Sequence, residues 1–321
     1  MGADDLLSFL CAVVAAFGNA VANVMQRKAS LEQDTHRAFS AGLLWQLIRT
    51  PTWILGFSGM VASFVLQAVA LGLGQLSAVE PIITLEVPLT LLVAGRVFGH
   101  GLGRWEWAAI LMMTGGMIAL VASLDPQPGD ETHVASFTYI VAGSATAATI
   151  LALILAGRRG HRLWRTACLG AAAGASFGFT ATLIKETVAQ LTASGVVGML
   201  TTWQTYAAVS CGLLGVIVMQ AALHTGPLIA AQPGFTLMDP VVSVLWGVLV
   251  YNETTRTGGW LVLATAGTVL LGVGVVRLAH SPLLSALNED DSGAAGDVLR
   301  RGDGGLQPGE GLPQSTVPGT P

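Results

Sequence analysis

Apolar residues fall into long runs that short polar segments separate. Nine runs occur, at 6–26, 52–72, 76–98, 105–124, 136–156, 167–185, 200–222, 227–250 and 259–278. None alternates apolar and polar positions as a barrel strand does. A helix needs about 20 apolar residues to cross a bilayer. The pattern therefore predicts an all-α integral membrane protein with about nine transmembrane helices and the lipid bilayer as its surroundings.

The composition excludes several other classes of protein. Charged residues make up only 11% of the chain and hydrophobic residues 52%, whereas a soluble domain carries about 25% charged residues. Cys11, Cys168 and Cys211 lie far apart inside apolar runs, so their spacing predicts neither a disulfide framework nor a zinc site. A soluble enzyme, a secreted scaffold and a nucleic-acid binder are therefore poor interpretations, and no nucleic-acid partner is expected.

The basic residues indicate the orientation of the spans. With the N-terminus outside, only Lys185 and Arg256 of the 15 Lys and Arg residues lie on the outer side. This asymmetry is the positive-inside pattern. Asp4 and Asp5 precede the first run where a signal peptide would be positive, so we interpret that run as a permanent span. The C-terminus is then cytoplasmic. Lys185, at the end of span six, is expected to reach the membrane surface beside Glu186.

Two stretches of the sequence resemble each other. Residues 74–92 read GQLSAVEPIITLEVPLTLL, and residues 226–244 read GPLIAAQPGFTLMDPVVSV, at a shift of 152 positions. The identical pairs are Gly74/Gly226, Leu76/Leu228, Ala78/Ala230, Pro81/Pro233, Thr84/Thr236, Leu85/Leu237 and Pro88/Pro240. Spans one to four therefore match spans six to nine, with span five between them.

The number of spans in each copy of the repeat predicts how the two copies are oriented in the membrane. Four spans and one connecting span make an odd number, so the second copy enters the membrane from the opposite side. This inverted-topology repeat can open to either face and predicts a carrier. We divide the chain into a first repeat (1–124), a connecting span with a basic loop (125–165), a second repeat (166–280) and a disordered, Gly- and Pro-rich cytoplasmic tail (281–321). A non-transporting receptor or scaffold leaves the repeat unexplained.

Carboxyl groups inside the spans carry the candidate chemistry. A carboxylate at mid-bilayer costs about 2.5–3.5 kcal/mol on insertion scales. Glu80 and Glu86 lie in span three and Asp239 in span eight, and the repeat has Gln232 and Met238 where span three has the two glutamates. The fold itself therefore does not require these carboxyl groups. We predict Glu86 and Asp239 as cation or proton sites and Glu80 as a third, against the alternative of carboxyls that hydrogen-bond two helices together.

Amides and prolines complete the predicted site. Gln67 and Gln220 are repeat-related, and Asn19 and Asn23 lie one turn apart on span one. Each of these amides either binds the solute or joins helices. The predicted substrate- or ion-binding residues are Glu86, Asp239, Glu80, Gln67, Gln220, Gln232, Asn19 and Asn23. Pro81 and Pro88 in span three and Pro233 and Pro240 in span eight predict kinks.

Residues 6–278 resemble the drug/metabolite transporter (DMT) superfamily. The resemblance rests on the paired patterns, on the prolines of span three and on the Arg-Trp-Glu-Trp sequence at 104–107. EamA-like exporters of that superfamily usually have ten spans, and this chain lacks the last. Nine spans, an outside N-terminus and the QRKA stretch after span one are similar to NIPA-type magnesium transporters. The resemblance implies a carrier of a small solute in the cell membrane, with magnesium transport on Glu86 and Asp239 as the alternative.

Catalytic and nucleotide motifs do not change this interpretation. The sequence has no Walker A motif and no dinucleotide fingerprint. Residues 174–178 fit the GxSxG pattern but lie inside a predicted span, which lacks the strand-to-helix turn that this motif needs. We therefore expect no enzyme and no cofactor, and transport driven by protons, ions or a substrate gradient. The substrate, its direction and the oligomeric state, a homodimer included, are left open.

Overall fold

The computed structural model describes residues 2–31, 51–99, 101–127, 129 and 136–280. In this part of the chain the regular elements are helices, and one isolated bridge joins Gln127 to Thr254. The helices are α1 (Ala3–Leu31), α2 (Pro51–Leu73), α3 (Leu76–Ile83), α4 (Glu86–Val97), α5 (Arg104–Leu124), α6 (Ser136–Arg158), α7 (Arg162–Thr201), α8 (Trp203–Thr225), α9 (Leu228–Leu249) and α10 (Gly259–Ala279). The predicted tail at 281–321 lies outside the described residues.

Eight stretches of the described chain are long and apolar enough to cross a membrane. They lie in α1, α2, α3 and α4 taken together, α5, α6, α7, α8 and α10. The prediction of an all-α multi-pass membrane protein is thereby confirmed. The helix at the predicted span 227–250, α9, is not among the eight. It packs against α7, α3 and α10, so protein rather than lipid surrounds much of it, and a helix in that position can carry polar residues.

The prolines act differently in the two helices that they were expected to kink. Span three is broken into α3 and α4 at Thr84 and Leu85. Pro88 explains the break, because it cannot donate a hydrogen bond to the carbonyl of Thr84 four residues earlier. That carbonyl accepts instead from the Val87 N–H at 3.2 Å. In contrast, α9 runs without interruption through Pro233 and Pro240. The chain therefore has one broken helix and one continuous proline-containing helix.

Glycines set the closest helix contacts. Gly170, Gly174 and Gly178 on α7 face the backbone of α9, and a Cβ at any of them would clash with a carbonyl oxygen of that helix. These three glycines therefore form a helix-packing face. Helices α5 and α10 meet in the same way. A Cβ on Gly116 would lie 2.6 Å from the Gly267 carbonyl oxygen, and a Cβ on Gly267 would lie 2.7 Å from that of Gly116.

Contacts between loops show which helix ends lie together. At one end, which we call the N-terminal face, the Gln75 amide donates to Asp5 at 3.4 Å and the Leu76 N–H donates to Glu253 at 2.7 Å. At the opposite face, Arg162 Nε donates to the Thr225 carbonyl at 2.7 Å. The chain therefore returns to the N-terminal face after α2 and after α9, as expected if successive spans alternate in direction and α3 and α4 form one span.

Candidate functional site

A cavity of about 520 Å³ lies between two groups of helices. Helices α1 to α4 line one side, and α7, α8 and α9 line the other. Asn19, Gln67, Glu80, Glu86 and Asp239 all line it. Five of the eight predicted binding residues are thus brought to one place. They come from five different helices, so the cavity depends on tertiary packing rather than on one motif.

Glu86 is the first residue of α4 and follows directly on the broken turn. The side-chain amide of Asn23 donates to Glu86 Oε1 at 2.6 Å, and Asn19 also forms a side-chain hydrogen bond with this carboxyl. Asn19 and Asn23 lie one turn apart on α1 and therefore face the same way. The carboxyl of Glu86 is consequently held by two amides, although only Asn19 of the pair lines the cavity.

Glu80 lies deeper, on α3, and is only 2% exposed. Its Oε1 accepts a hydrogen bond from Gln67 Nε2 on α2 at 3.1 Å. This pair links two helices, as expected for a polar contact in an apolar bundle. Both residues also line the cavity, so the same contact places an amide and a carboxyl where a solute can reach them.

Asp239 differs from both glutamates, because its Oδ1 is buried and has no hydrogen-bond partner. The residue lies in α9 against Gly178 of α7, and a Cβ built at position 178 would lie 3.2 Å from this oxygen. Asp239 is also close enough to Glu80 and Glu86 to interact electrostatically with them. An unpaired buried carboxyl oxygen is costly, so this group calls for a partner that the described residues do not supply.

The side chains that line the cavity give it an acidic character. Three carboxyl groups line it, and none of the described lining residues is Lys, Arg or His. Like charges in surroundings of low dielectric repel one another more strongly than in bulk water. A proton on one of the carboxyls, or a bound cation, relieves that repulsion. The arrangement can therefore bind a positively charged group or exchange a proton.

Three predicted residues do not line the cavity: Asn23, which contacts Glu86, and also Gln232 and Gln220. Gln232 Nε2 donates to the hydroxyl of Thr236 at 3.3 Å within α9, and it is Thr236 that lines the cavity. Gln220 is exposed on α8. Its position four residues beyond the lining residue Val216 explains this, because one further turn carries it past the cavity towards the opposite face. The repeat pairs Gln220 with Gln67, but only Gln67 meets a carboxyl.

A second cluster of buried charges, which we call the N-terminal-face cluster, consists of Lys185 and Glu253 with their partners. Lys185 is 4% exposed, and its Nζ donates to the carbonyls of Leu71 at 3.1 Å and Gly74 at 2.6 Å. The expectation that Lys185 reaches the membrane surface was wrong. The end of α2 offers unpaired carbonyl groups, and Lys185 is held inside by them.

Glu253 is 2% exposed and lies in the connection between α9 and α10. Its carboxyl accepts from the backbone N–H groups of Leu76 at 2.7 Å and Ser77 at 3.1 Å, and from the Ser77 hydroxyl. Burial raises the pKa of Glu253, while the Ser77 hydrogen bonds and the charge of Lys185 oppose that shift. Sequence reasoning missed this residue, since an acidic residue in a short loop is an ordinary feature.

The comparisons with known proteins are sparse. No protein family and no solved structure matches the chain. A protein of Corynebacterium glutamicum, described as an uncharacterized protein, is 29% identical over 280 residues. The match covers 87% of this chain and 96% of the relative. The two proteins therefore correspond over nearly the whole length of the relative, and the relative carries no activity or substrate across to this chain.

Proposed function

We propose that this multi-pass membrane protein is a secondary carrier of the drug/metabolite transporter type. It moves a small solute by alternating access, with a proton or another cation exchanging on its buried carboxyl groups. One observation carries the proposal: a cavity between two groups of helices, lined by Glu80, Glu86 and Asp239 without a basic side chain. Intramembrane carboxyls that face a cavity mark ion and substrate pathways.

The helix packing supports the inverted repeat on which alternating access depends. Helix α1 packs on α2 as α7 packs on α8, and α9 lies against α7 where α3 and α4 lie against α1. Helices α5 and α10, the predicted equivalents of each other, meet through Gly116 and Gly267. Such pairing fits nine spans related by an axis in the membrane plane. By the positive-inside rule, the N-terminal face is then the outer face.

The N-terminal-face cluster fits the same proposal. Lys185 and Glu253 belong to the second half of the chain, and they contact backbone groups at the end of α2, in the α2–α3 connection and at the start of α3, in the first half. These contacts hold the two halves together beside the cavity. A carrier that opens to this face has to break them, so the described conformation is the one closed to the outside.

Magnesium transport is the alternative that the same carboxyls favour. Mg²⁺ keeps several waters and needs only one or two protein carboxylates, which Glu86 and Asp239 supply. In the described part of the chain, no group of three His, Cys, Asp or Glu side chains is close enough to hold a metal ion between them. The magnesium alternative therefore requires a hydrated ion held by one or two carboxylates rather than a closed three-ligand site.

The test uses purified protein in liposomes that contain dyes for internal pH and free Mg²⁺. Glu86→Gln and Asp239→Asn are compared with the native chain, and Asp125→Asn, which alters an exposed carboxyl, is the matched control. Solute-dependent proton flux that both cavity variants abolish and Asp125→Asn retains supports the carrier. Magnesium entry with the same pattern supports the alternative. Neither flux under a broad solute mixture contradicts both and favours a receptor or scaffold.

A further inference from the structure

We infer that the cavity binds an organic cation, a solute with one positive charge on an apolar or aromatic body. The inference deepens the proposed function, because it concerns the same cavity and names the solute class. It rests on the charge of the cavity, on the composition of its wall and on its size.

Charge comes first. Asp239 Oδ1 is buried without a partner, whereas Glu80 and Glu86 are each held by amides. An anionic solute would add repulsion from all three carboxyl groups, and a neutral solute would leave their charge uncompensated. A cation beside Asp239 supplies the missing contact and offsets the charge of all three groups. The lining residues therefore favour a solute with a positive charge.

The wall of the cavity is mainly apolar. Phe64, Phe177 and Phe235 supply three aromatic rings, and the rings of Phe177 and Phe235 are nearly perpendicular with centroids 5.6 Å apart. Aromatic faces attract cations, most strongly where water is excluded. A small hydrated metal ion gains nothing from such a wall. An organic cation gains both the ring contacts and the burial of its apolar body.

The size agrees with a small organic molecule. The cavity measures about 520 Å³, and small-molecule sites usually measure about 300–1,000 Å³. Such sites are mostly apolar, with a few polar groups that fix orientation. Here the polar groups are the carboxyls on α3, α4 and α9, so the charged end of the solute is expected to lie next to Asp239 and its body against Phe177 and Phe235.

The test measures equilibrium binding to the purified protein in lipid nanodiscs. The probe is benzyltrimethylammonium, whose charge does not titrate, and the comparison is 3-phenylpropionate, an anion of similar size. We expect saturable binding of the cation, at least tenfold weaker in Asp239→Asn and unchanged in the control Asp125→Asn. Phe235→Leu should weaken binding about threefold or more. Thermal unfolding of each variant verifies that it is folded.

Several results would overturn the inference. They are equal binding of the anion and the cation, unchanged cation binding in Asp239→Asn, or saturable binding of Mg²⁺ with none of the organic cation. Flux in liposomes separates this inference from the carrier proposal. A cation that binds but is never moved contradicts the carrier alone. Transport of anions or neutral solutes without any cation binding contradicts the inference alone.

Discussion

Two buried polar regions of the molecule can be compared directly. In the N-terminal-face cluster, the Glu253 carboxyl accepts three hydrogen bonds and Lys185 donates to two carbonyls. In the cavity, Glu80 and Glu86 are held by amides, and Asp239 Oδ1 has no partner. Both regions place charges among apolar helices. Only the cluster satisfies its charges with backbone groups of the same chain.

The difference separates structural charges from functional ones. A buried charge that is fully hydrogen-bonded stabilises the contact that it joins, and removing it leaves its partners unsatisfied. A buried carboxyl without a partner destabilises the fold, because no hydrogen bond offsets its loss of hydration. Its position beside a cavity is therefore best explained by a ligand. The four predictions below test this separation through stability and transport together.

The largest loss of stability is expected for Glu253→Ala. The substitution leaves two backbone N–H groups and the Ser77 hydroxyl without an acceptor and leaves Lys185 without its nearby negative charge. Breaking a buried charged contact costs about 3–5 kcal/mol. Thermal unfolding in detergent should show a large fall in Tm. Glu253→Gln keeps one acceptor and the shape, so its loss should be smaller, and a Tm equal to that of the native chain for Glu253→Ala would contradict the structural role.

Gly178→Ala should come next. Its Cβ would lie 2.5 Å from the Asp239 carbonyl oxygen and 3.2 Å from Oδ1, so α7 and α9 must move apart. Overpacking of this kind costs about 1–3 kcal/mol, and cation binding should weaken as Asp239 shifts. Gly143→Ala is the matched control, because its Cβ would meet only the ring of Phe179 at 3.7 Å. Equal unfolding temperatures for both variants would contradict the close packing at Gly178.

Asp239→Asn should leave stability within about 1 kcal/mol of the native chain or raise it, since the carboxyl oxygen that it alters has no hydrogen bond to lose. Transport and cation binding should be abolished in the same preparation. A fall in Tm as large as that of Glu253→Ala would instead place Asp239 among the structural charges. Flux and unfolding measured on one sample keep loss of function distinct from loss of fold.

The smallest effect is expected at the surface. Arg256 and Asp125 form a salt bridge of 2.6 Å, with side chains 45% and 46% exposed. Exposed pairs contribute about 0–1 kcal/mol, so Asp125→Asn should change Tm only slightly. Solute flux should be unaffected, because neither residue lines the cavity. A fall in Tm as large as that of Glu253→Ala would contradict the view that exposed charge pairs contribute less stability than buried ones.

Much of the fold was predictable because a helix needs about 20 apolar residues to cross the bilayer. Each predicted apolar run overlaps a described helix, except that the run at 76–98 forms two helices, and Pro88 explains the break between them at Thr84 and Leu85. Helix α9 was predicted from the apolar run at 227–250, and the match to span three agreed with it. Its surroundings of α7, α3 and α10 account for the polar residues that lower its apolar character.

The site was predictable only in part, for a physical reason. Intramembrane carboxyls are costly, so Glu80, Glu86 and Asp239 stood out in the sequence. Lys185 and Glu253 did not, since their partners lie more than a hundred residues away in the chain and no periodicity reveals such pairing. Gln220 was predicted to bind the solute because the repeat aligns it with Gln67, but it lies outside the cavity. How far the cavity extends along α8 depends on the packing of the helices, which the repeat does not reveal.

The most direct test of the account is one paired measurement on Asp239→Asn and Glu253→Gln, each reconstituted in liposomes for cation flux and unfolded in detergent from the same preparation. The account predicts that Asp239→Asn loses flux at an unchanged Tm, and that Glu253→Gln loses Tm. Cation flux that survives in Asp239→Asn would contradict the claim that the unpaired carboxyl of the cavity is the solute site. A Tm that falls in this variant together with the flux would also contradict it.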